Sequence, residues 1–149
     1  MTRVVIAGSL LLLLLSCVTG PSVDTPSGFA AFPDADEPLA LSPEGVGFRL
    51  RSVANDPEQT LAFWGEALDR HMSESGYLRY DETGFDSNAG PGVAFEWLAP
   101  VNDEDWVYLT AIVVTGERIL IAEAAGPVEL YLRHRPALVE ALETISDEE

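Results

Sequence analysis

The sequence has no lysine and one cysteine, and these two shortages exclude several kinds of chemistry. Without lysine the chain has no amine for Schiff-base catalysis and no lysine for a phosphate-binding loop. The lone cysteine, Cys17, excludes an internal disulfide and a zinc site built from several cysteines. The two histidines, His71 and His134, lack the spacing of a zinc motif, and no Gly-x-Ser-x-Gly turn presents a serine nucleophile. We therefore predict no cofactor and no enzymatic activity.

Positive charge is also scarce. The 149 residues contain eight arginines against 25 aspartates and glutamates, which gives a formal net charge of −17. All of the acidic residues follow Cys17. Binding to nucleic acid depends on cationic groups that replace counterions at the phosphates, so we expect no nucleic-acid partner. The length and the 47% hydrophobic content fit one folded domain.

The N-terminal residues have the pattern of a secretory signal. Arg3 gives a positive start, and an uncharged, mostly apolar run extends from Val4 to Leu15. A permanent membrane span needs about 20 apolar residues, so this run is too short to be one. Its length is typical of the hydrophobic region of a signal peptide. We predict that residues 1–16 are a signal peptide.

The residues Leu14-Leu15-Ser16-Cys17 resemble the lipobox of bacterial lipoproteins. In that family a hydrophobic residue stands three positions before the cysteine, and a small residue stands directly before it. The resemblance implies that the signal is cut before Cys17, that the Cys17 sulfur receives a diacylglyceryl group, and that the new amino terminus is acylated, as with palmitate. Leu15 departs from the pattern, since a smaller residue is commoner there. Ordinary cleavage after Gly20, which would discard Cys17, is the alternative.

The lipobox implies a subcellular location as well as a lipid anchor. Two or three acyl chains hold a protein stably on a bilayer, because each buried methylene contributes about 0.8 kcal/mol. We therefore expect the lipid bilayer as a partner, bound through Cys17, and a place in the cell envelope. In some Gram-negative envelopes an aspartate after the cysteine retains lipoproteins on the inner membrane. Val18 stands there in this chain, which implies the periplasmic face of the outer membrane if the cell is Gram-negative.

Residues 17–43 have the composition of a flexible tether. Prolines recur from Pro21 to Pro43, and the segment has no sustained period of 2 or 3.6 residues. About 25 such residues would span roughly 25 to 30 Å as a flexible coil, which would hold a domain clear of the lipid headgroups. The alternative is that Phe29 and Phe32 pack back onto the domain.

Residues 44–149 predict a single α+β domain. Alternation from Val46 to Leu50 predicts a strand with one buried face. Asp56, Pro57 and Gln59 then have the pattern of a helix start, with Asp56 as the N-cap. The helical spacing continues to Gly76, where we expect the helix to end.

The second half of this domain predicts several strands and a final helix. We expect strands over 77–81, around 93–97, over 106–114 and over 118–124, with a polar loop over 83–92 and a turn at 102–104. Gly126-Pro127 should open a helix that extends to Ile145, and the acidic tail at 147–149 should fray. The fold class is therefore α+β, with an antiparallel β-meander packed by an early helix and a C-terminal helix, in the order strand, helix, strands, helix.

This domain resembles the PsbP-like family. The resemblance rests on the strand at Gly45 to Leu50, the early helix, the meander, and the stretch from Gly116 to Ile145. Members fold as an antiparallel sheet sandwiched by helices, include photosystem extrinsic subunits and many bacterial lipoproteins, and act mainly as accessory or binding proteins. The proline and tryptophan often found soon after the first strand are not matched in Arg51 to Asn55. The resemblance implies an accessory domain with an envelope protein as partner.

Two sets of side chains are candidate binding sites. The first set is aromatic and could line a ligand groove, although residues of this kind are commonly core: Trp64, Trp97, Trp106 and Tyr131. The second set offers oxygen donors for calcium, although solvated turns explain it equally well and the EF-hand spacing is missing: Asp81, Asp86, Asp103 and Asp105. His134, on the apolar face of the last helix, is expected to be a hydrogen-bonded packing residue.

The sequence thus favours a membrane-anchored envelope lipoprotein with a non-enzymatic, acidic binding or accessory domain. The first alternative is a carrier of a small molecule or of calcium. The second is an envelope hydrolase whose site is assembled from scattered acids and a histidine, His71 or His134.

Overall fold

The computed structural model describes residues 20–148. The predicted signal peptide over 1–16 and the predicted lipidation site Cys17 lie outside the described residues. Within that range, no helix has the length and apolarity needed to cross a membrane.

Nine strands and two helices make up the described part of the chain. In chain order they are β1 (Pro21–Ser22), β2 (Ala30–Ala31), β3 (Leu39–Leu41), β4 (Gly47–Ala54), α1 (Leu61–Glu74), β5 (Leu78–Ser87), β6 (Gly90–Val101), β7 (Glu104–Val114), β8 (Arg118–Pro127), α2 (Val128–Glu143) and β9 (Ser146–Asp147).

Seven of these strands form one antiparallel sheet in the order β2-β3-β4-β8-β7-β6-β5. Strands β5 to β8 follow one another as a meander, and β4 joins it beside β8. The predicted α+β class and its element order are confirmed, since α1 follows β4 and α2 follows the meander.

The face of the sheet that α2 covers is the main core. Because side chains alternate along a strand, every second residue of β7, including Leu109 and Val113, points to this face. They are buried together with Leu120 of β8 and with Tyr131 and Leu138 of α2. Burial of apolar surface at about 25 cal/mol per Å² makes this face the main source of stability.

The opposite face is covered by α1 over only part of its width. Met72 of α1 is buried together with Phe95 and Trp97 of β6. The rings of Phe95 and Trp97 stack with their centroids 5.4 Å apart, and Trp97 is fully buried. Helix α1 contacts β5, β6 and β7, which leaves the part of this face formed by β4 and β8 open.

The first helix begins later than the sequence predicts. Thr60 is the N-cap, and its hydroxyl accepts a hydrogen bond from the Phe63 amide at 3.2 Å. Asp56 and Pro57 lie in the loop before it, so the predicted cap at Asp56 is wrong. The physical reason is that Asn55 holds this loop through hydrogen bonds to the backbone of Gln59, which keeps residues 56–59 out of the helix.

The predicted loop over 83–92 is a β-hairpin. Strand β5 continues to Ser87 and pairs with β6, which begins at Gly90. Because β5 is the edge strand and largely exposed, its residues are polar, and polar edge strands resemble loops in composition. The turn near Asn102 and Asp103 lies where the sequence predicts it, and both residues have positive φ there.

The predicted tether is structured from residue 20 onward. Strands β2 and β3 extend the sheet from β4, with Ala40 buried, and β1 pairs with β9. Phe29 packs against the core and makes an edge contact with His134, whereas Phe32 is 48% exposed. Backbone pairing and burial therefore outweigh the turn-forming composition of the segment. The division of the chain at residue 17 stays a prediction.

The acidic C-terminal tail does not fray at Asp147. Residues 146–147 form β9, and the Asp147 carboxylate accepts hydrogen bonds from Thr115 at 3.0 Å and pairs with Arg118 at 2.7 Å. The helix ends before this acid, with Thr144 as its C-cap, so the negative charge is neutralised by Arg118 instead of opposing the helix dipole.

We predict that Gly92→Ala destabilises the domain and that Gly84→Ala does not. A Cβ at Gly92 would contact the ring of Phe85 and lie 2.9 Å from the carbonyl oxygen of Ile112, whereas a Cβ at Gly84 meets nothing nearer than 3.9 Å. The first change should lower the free energy of unfolding by about 1–3 kcal/mol, as overpacking does. Urea unfolding of both variants measures this, and equal stabilities would contradict the packing described for the β5–β6 hairpin.

Candidate functional site

An apolar groove of about 420 Å³ lies between α1 and the open part of the sheet. This volume is within the range of about 300–1,000 Å³ that is typical of small-molecule sites. Its floor consists of sheet residues and one wall consists of helix residues. The floor residues are Val53, Thr110, Ile112, Ile119 and Ile121, and the wall residues are Trp64, Ala67, Leu68, His71 and Met72.

Local periodicity explains why these residues meet. Ile119 and Ile121 are alternate residues of β8, so both point to the α1 face, and β-branched side chains suit a strand. On the helix, Trp64, Leu68 and His71 are spaced by four and three residues, which places them on one side of α1. The groove is therefore the gap between the apolar side of α1 and the apolar surface of the sheet, which are not in contact there.

Asn55 fixes the orientation of Trp64 on the groove wall. This buried side chain accepts a hydrogen bond from the indole Nε1 of Trp64 at 2.7 Å. Its amide nitrogen donates to the carbonyl oxygens of Gln59 and Gly116, at 3.1 and 3.3 Å. Asn55 thus connects α1, the preceding loop and the β7–β8 turn, and it holds the indole in place.

One end of the groove is polar. Glu123 of β8 is opposite Arg49 of β4 and lies in the buried layer, with 8% of its side chain exposed. Its Oε2 accepts hydrogen bonds from the Nε of Arg49 at 2.6 Å and from the Nε of Arg51 at 3.1 Å. The Tyr108 hydroxyl donates to its Oε1. We call Arg49, Arg51, Tyr108 and Glu123 the polar cluster.

The polar cluster holds its members in definite charge states. Burial opposes the charge of Glu123, but the hydrogen bonds from Tyr108, Arg51 and Arg49 outweigh burial and lower the pKa of Glu123. Burial and then the hydrogen bond to Glu123 raise the pKa of Tyr108 to about 12. Near neutral pH, Glu123 is therefore an anion and Tyr108 is a neutral donor. Two guanidinium groups share this one carboxylate, and Glu37 also acts electrostatically on Arg49.

The four predicted groove aromatics are not brought together. Trp64 lines the groove, whereas Trp97 is fully buried beneath α1 beside Phe95. Trp106 is half-buried on β7 and does not line this groove, and Tyr131 is fully buried on the other face of the sheet. The predicted groove is therefore corrected to one that retains Trp64 and is otherwise mostly aliphatic. Large aromatic area is best buried in the core, which is where Trp97 and Tyr131 lie.

The four candidate calcium ligands lie apart. Asp81 pairs with Arg135 at 3.2 Å, and Asp86, five residues later on β5, points to the opposite face. Asp103 and Asp105 lie at the β6–β7 turn, where Asp105 is opposite Pro100. Among residues 20–148, no three histidine, cysteine or acidic side chains are grouped so that they could hold a metal ion.

The two histidines lie on different helices. His71 is on the groove wall, on α1. His134 is on α2, where its Nε2 lies 2.9 Å from Glu44 and its ring contacts Phe29, as expected for a hydrogen-bonded packing residue. The helices cover opposite faces of the sheet, so the two side chains do not share a site.

A second ionic group lies on the α2 face. Arg135 donates to the buried Glu96 at 2.7 Å and to Asp81 at 3.2 Å, and Tyr131 lies beside Glu96. Burial and the charge of Glu96 raise the pKa of Tyr131. Glu96 and Tyr131 are buried under α2, whereas Arg135 and Asp81 are partly exposed at its edge, and we regard this group as structural.

Arg49, Arg51 and Glu123 of the polar cluster are not among the site residues that the sequence predicts. In the sequence, Arg49 and Arg51 occupy alternating positions of a predicted strand. Polar residues in that pattern indicate the solvent-exposed face of a strand and not a binding site. Recognising them as a site requires the register of β4 against β8, which places Glu123 opposite Arg49. That register joins residues 74 positions apart in the chain.

We predict that Glu123→Gln destabilises the domain in a pH-dependent way. Near neutral pH the variant should lose about 1–3 kcal/mol of unfolding free energy, because both arginines lose a charged acceptor. The pKa of Glu123 is lowered from its ordinary 4.5 by the fold, so its contribution is complete above pH 4.5 and is lost as the pH falls through the lower folded value.

The difference between the parent chain and the variant should therefore shrink on acidification below pH 4.5. Urea unfolding over a pH series measures it. Glu140→Gln, on an exposed position of α2, is the matched control and should show no such trend. A difference that stayed constant into acid would contradict the charge state assigned to Glu123.

No protein-family model matches the chain, and the search of curated proteins found no match. Solved structures do match its fold. PA94 of Pseudomonas aeruginosa, a protein of unknown function, has a TM-score of 0.62 at 10% identity and covers 81% of this chain and 98% of its own. LpqN of Mycobacterium tuberculosis, which is involved in cell envelope biogenesis, has a TM-score of 0.60 at 11% identity, with 89% and 87% covered.

The cyanobacterial PsbP protein CyanoP of Synechocystis sp. PCC 6803 matches as well. Its TM-score is 0.52 at 8% identity, and the alignment covers 94% of this chain and 99% of CyanoP. At these identities the likeness concerns the fold, and it agrees with the PsbP-like fold that the sequence implies. The chain is thus an α+β domain with the fold that LpqN and CyanoP also have.

Proposed function

We propose that this protein is a membrane-anchored, non-enzymatic binding domain of the cell envelope and that the groove beside α1 is its binding site. The observation that carries the proposal is the groove itself, which is apolar along its floor and wall and carries polar groups at one end. Sites for small organic ligands commonly have this composition. The proposal also agrees with the fold of LpqN, a protein involved in cell envelope biogenesis.

The polar cluster suits binding better than catalysis. A general acid or base works best with a pKa near the operating pH. The pKa of Glu123 is lowered and that of Tyr108 is raised to about 12, so both lie far from neutrality in opposite directions. The envelope hydrolase alternative needs one histidine near an acid, and His71 lines the groove whereas His134 does not.

The anchor would hold this domain close to the bilayer. Cys17 precedes β1 by four residues, a separation of at most about 14 Å at full extension. The flexible coil predicted for the whole of 17–43 would have reached roughly 25 to 30 Å. Because β1 pairs with β9, the proposed anchor is attached at the end of the sheet that also carries the β7–β8 turn.

Of the alternatives, a small-molecule carrier is favoured over a calcium carrier. The groove has the size of a small-molecule site, whereas the four acidic candidates Asp81, Asp86, Asp103 and Asp105 lie apart. A carrier transports the molecule that it binds, whereas an accessory domain acts on a partner protein. Both functions require a ligand bound in the groove. An envelope protein remains the expected macromolecular partner.

We predict that Cys17→Ser releases the protein from the membrane without unfolding its domain. The parent chain should incorporate labelled palmitate and sediment with envelope membranes, because the acyl chains bind the bilayer. The Cys17→Ser chain should incorporate none, with its thermal unfolding midpoint unchanged. Val18→Ala keeps the cysteine and serves as the control. A parent chain without label, or a variant that incorporates as much label as the parent, would overturn the anchor.

We predict that Ala67→Trp closes the groove. Ala67 lies on the groove wall, so an indole there should occupy the groove volume. The uncharged dye N-phenyl-1-naphthylamine should gain fluorescence with the parent chain and lose most of that gain with the variant. Ala62→Trp, on the exposed other flank of α1, is the matched control and should keep it. No gain with the parent chain, or equal gains in both variants, would overturn the groove as the binding site.

A further inference from the structure

We propose that the groove binds a single-chain amphiphile with a carboxylate head, such as a long-chain fatty acid. This inference rests on the proposed function and adds the chemical class of the ligand. The carboxylate binds at Arg51 in the polar cluster, and the hydrocarbon chain lies along the floor between Ile121 and Val53.

The charge of the polar cluster selects an anion. Arg49 and Arg51 both direct their Nε to the same Oε2 of Glu123, at 2.6 and 3.1 Å. Glu123 is shared by both guanidinium groups, and Glu37 lies near Arg49 as well, so Arg51 has no carboxylate of its own. A guanidinium of this kind, beside an apolar groove, matches a ligand with one negative charge and an apolar body.

Arg51 has donors left for that ligand. It lines the groove, and 32% of its side chain is exposed. Within residues 20–148 its hydrogen bond to a side chain is made by Nε to Glu123, and no other acceptor engages its terminal nitrogens. A guanidinium presents two parallel N–H donors along each edge, which is the geometry that a carboxylate accepts in a bidentate pair. Arg51 can therefore hold Glu123 and a ligand carboxylate at once.

The rest of the groove accommodates one hydrocarbon chain. Ile121, Ile119 and Val53 continue the floor away from Arg51, and Trp64 and Leu68 form the wall above them. The volume of about 420 Å³ is sufficient for one acyl chain. The apolar end of the groove is also the end nearest β9, since Ala54 pairs with Arg118, and Arg118 contacts Asp147.

Calorimetric titration of the full chain carrying Cys17→Ser tests this proposal, because no acyl group of its own then competes for the groove. The ligands are dodecanoate, dodecanol and dodecyl phosphate, each below its micelle concentration and at about pH 8, where the carboxylate is ionised. Dodecanoate should bind about ten- to hundredfold more tightly than dodecanol, as expected for a charge-assisted hydrogen-bond pair.

Three arginine variants identify the group responsible. Arg51→Gln should remove the preference for dodecanoate over dodecanol, and Arg51→Lys, which keeps the charge, should retain part of it. Arg70→Gln removes one positive charge from an exposed position of α1 and should leave the preference unchanged. Thermal unfolding of each variant shows that it is folded, and Arg51→Lys keeps the test valid if Arg51→Gln does not fold.

The outcomes separate this inference from the proposed function. Equal affinities for dodecanoate and dodecanol, or a preference that survives Arg51→Gln, would overturn the carboxylate head while leaving binding of the uncharged dye intact. Tighter binding of dodecyl phosphate would assign a phosphate head and overturn the carboxylate. If neither the dye nor any of the amphiphiles bound, the groove would be rejected as a binding site.

Discussion

The sheet has two apolar faces, and two helices cover them unequally. Helix α2 covers β7 and β8 on one face, where alternate residues such as Leu109 and Leu120 are fully buried. Helix α1 lies over β5, β6 and β7 on the other face, and the strip formed by β4 and β8 stays open. Both faces are apolar, since Leu109 and Leu120 point to one face and Ile112 and Ile119 point to the other. The uncovered strip is therefore a groove rather than a solvated surface.

The polar cluster provides hydrogen-bond partners for a buried carboxylate in this strip. Glu123 lies in the middle of β8, where a buried carboxylate would cost several kcal/mol without partners. Three donors surround it, from Arg49 and Arg51 on β4 and from Tyr108 on β7. The register of β8 against both neighbours is thus specified by polar contacts on one face and by apolar packing on the other. The same contacts place the guanidinium of Arg51 at one end of the open strip, so the two ends of the groove differ in polarity.

The sequence was sufficient for the class of fold. Strand alternation from Val46 to Leu50 and helical spacing from Leu61 to Met72 are local signals, and each survives in β4 and α1. Apart from the start of α1, the errors concern strands at the edges of the structure. Strand β5 is polar because it is an edge, and β1 to β3 contain turn-forming residues, so neither has a strand pattern that a local window can detect. These segments are strands because they pair with a neighbouring strand, and that pairing depends on residues distant in the sequence.

The site was predicted less well than the fold, for a related reason. Trp97 and Tyr131 are candidate groove residues in the sequence because they are large and aromatic. The same large apolar area explains why both are buried in the core. Trp64 stays at the groove because Asn55 accepts its indole N–H, a contact that follows from the loop before α1 and not from any spacing. Arg51 and Glu123 became a pair only through the β4–β8 register. Binding residues of this kind are polar side chains on otherwise ordinary strands, and the sequence alone does not separate them from a solvated face.

The pairing of β1 with β9 changes what an anchor at Cys17 would do. A long tether would let the domain rotate freely above a bilayer, whereas an anchor only four positions before β1 would restrict it to within about 14 Å. The strands β1 and β9, the β7–β8 turn and the apolar end of the groove all lie at the same end of the sheet, joined by Arg118 and Asp147. With an anchor at Cys17, this end is the one held near the bilayer. A hydrocarbon chain would then have a short path between the bilayer and the groove, and the polar cluster at the far end would determine how deeply it enters.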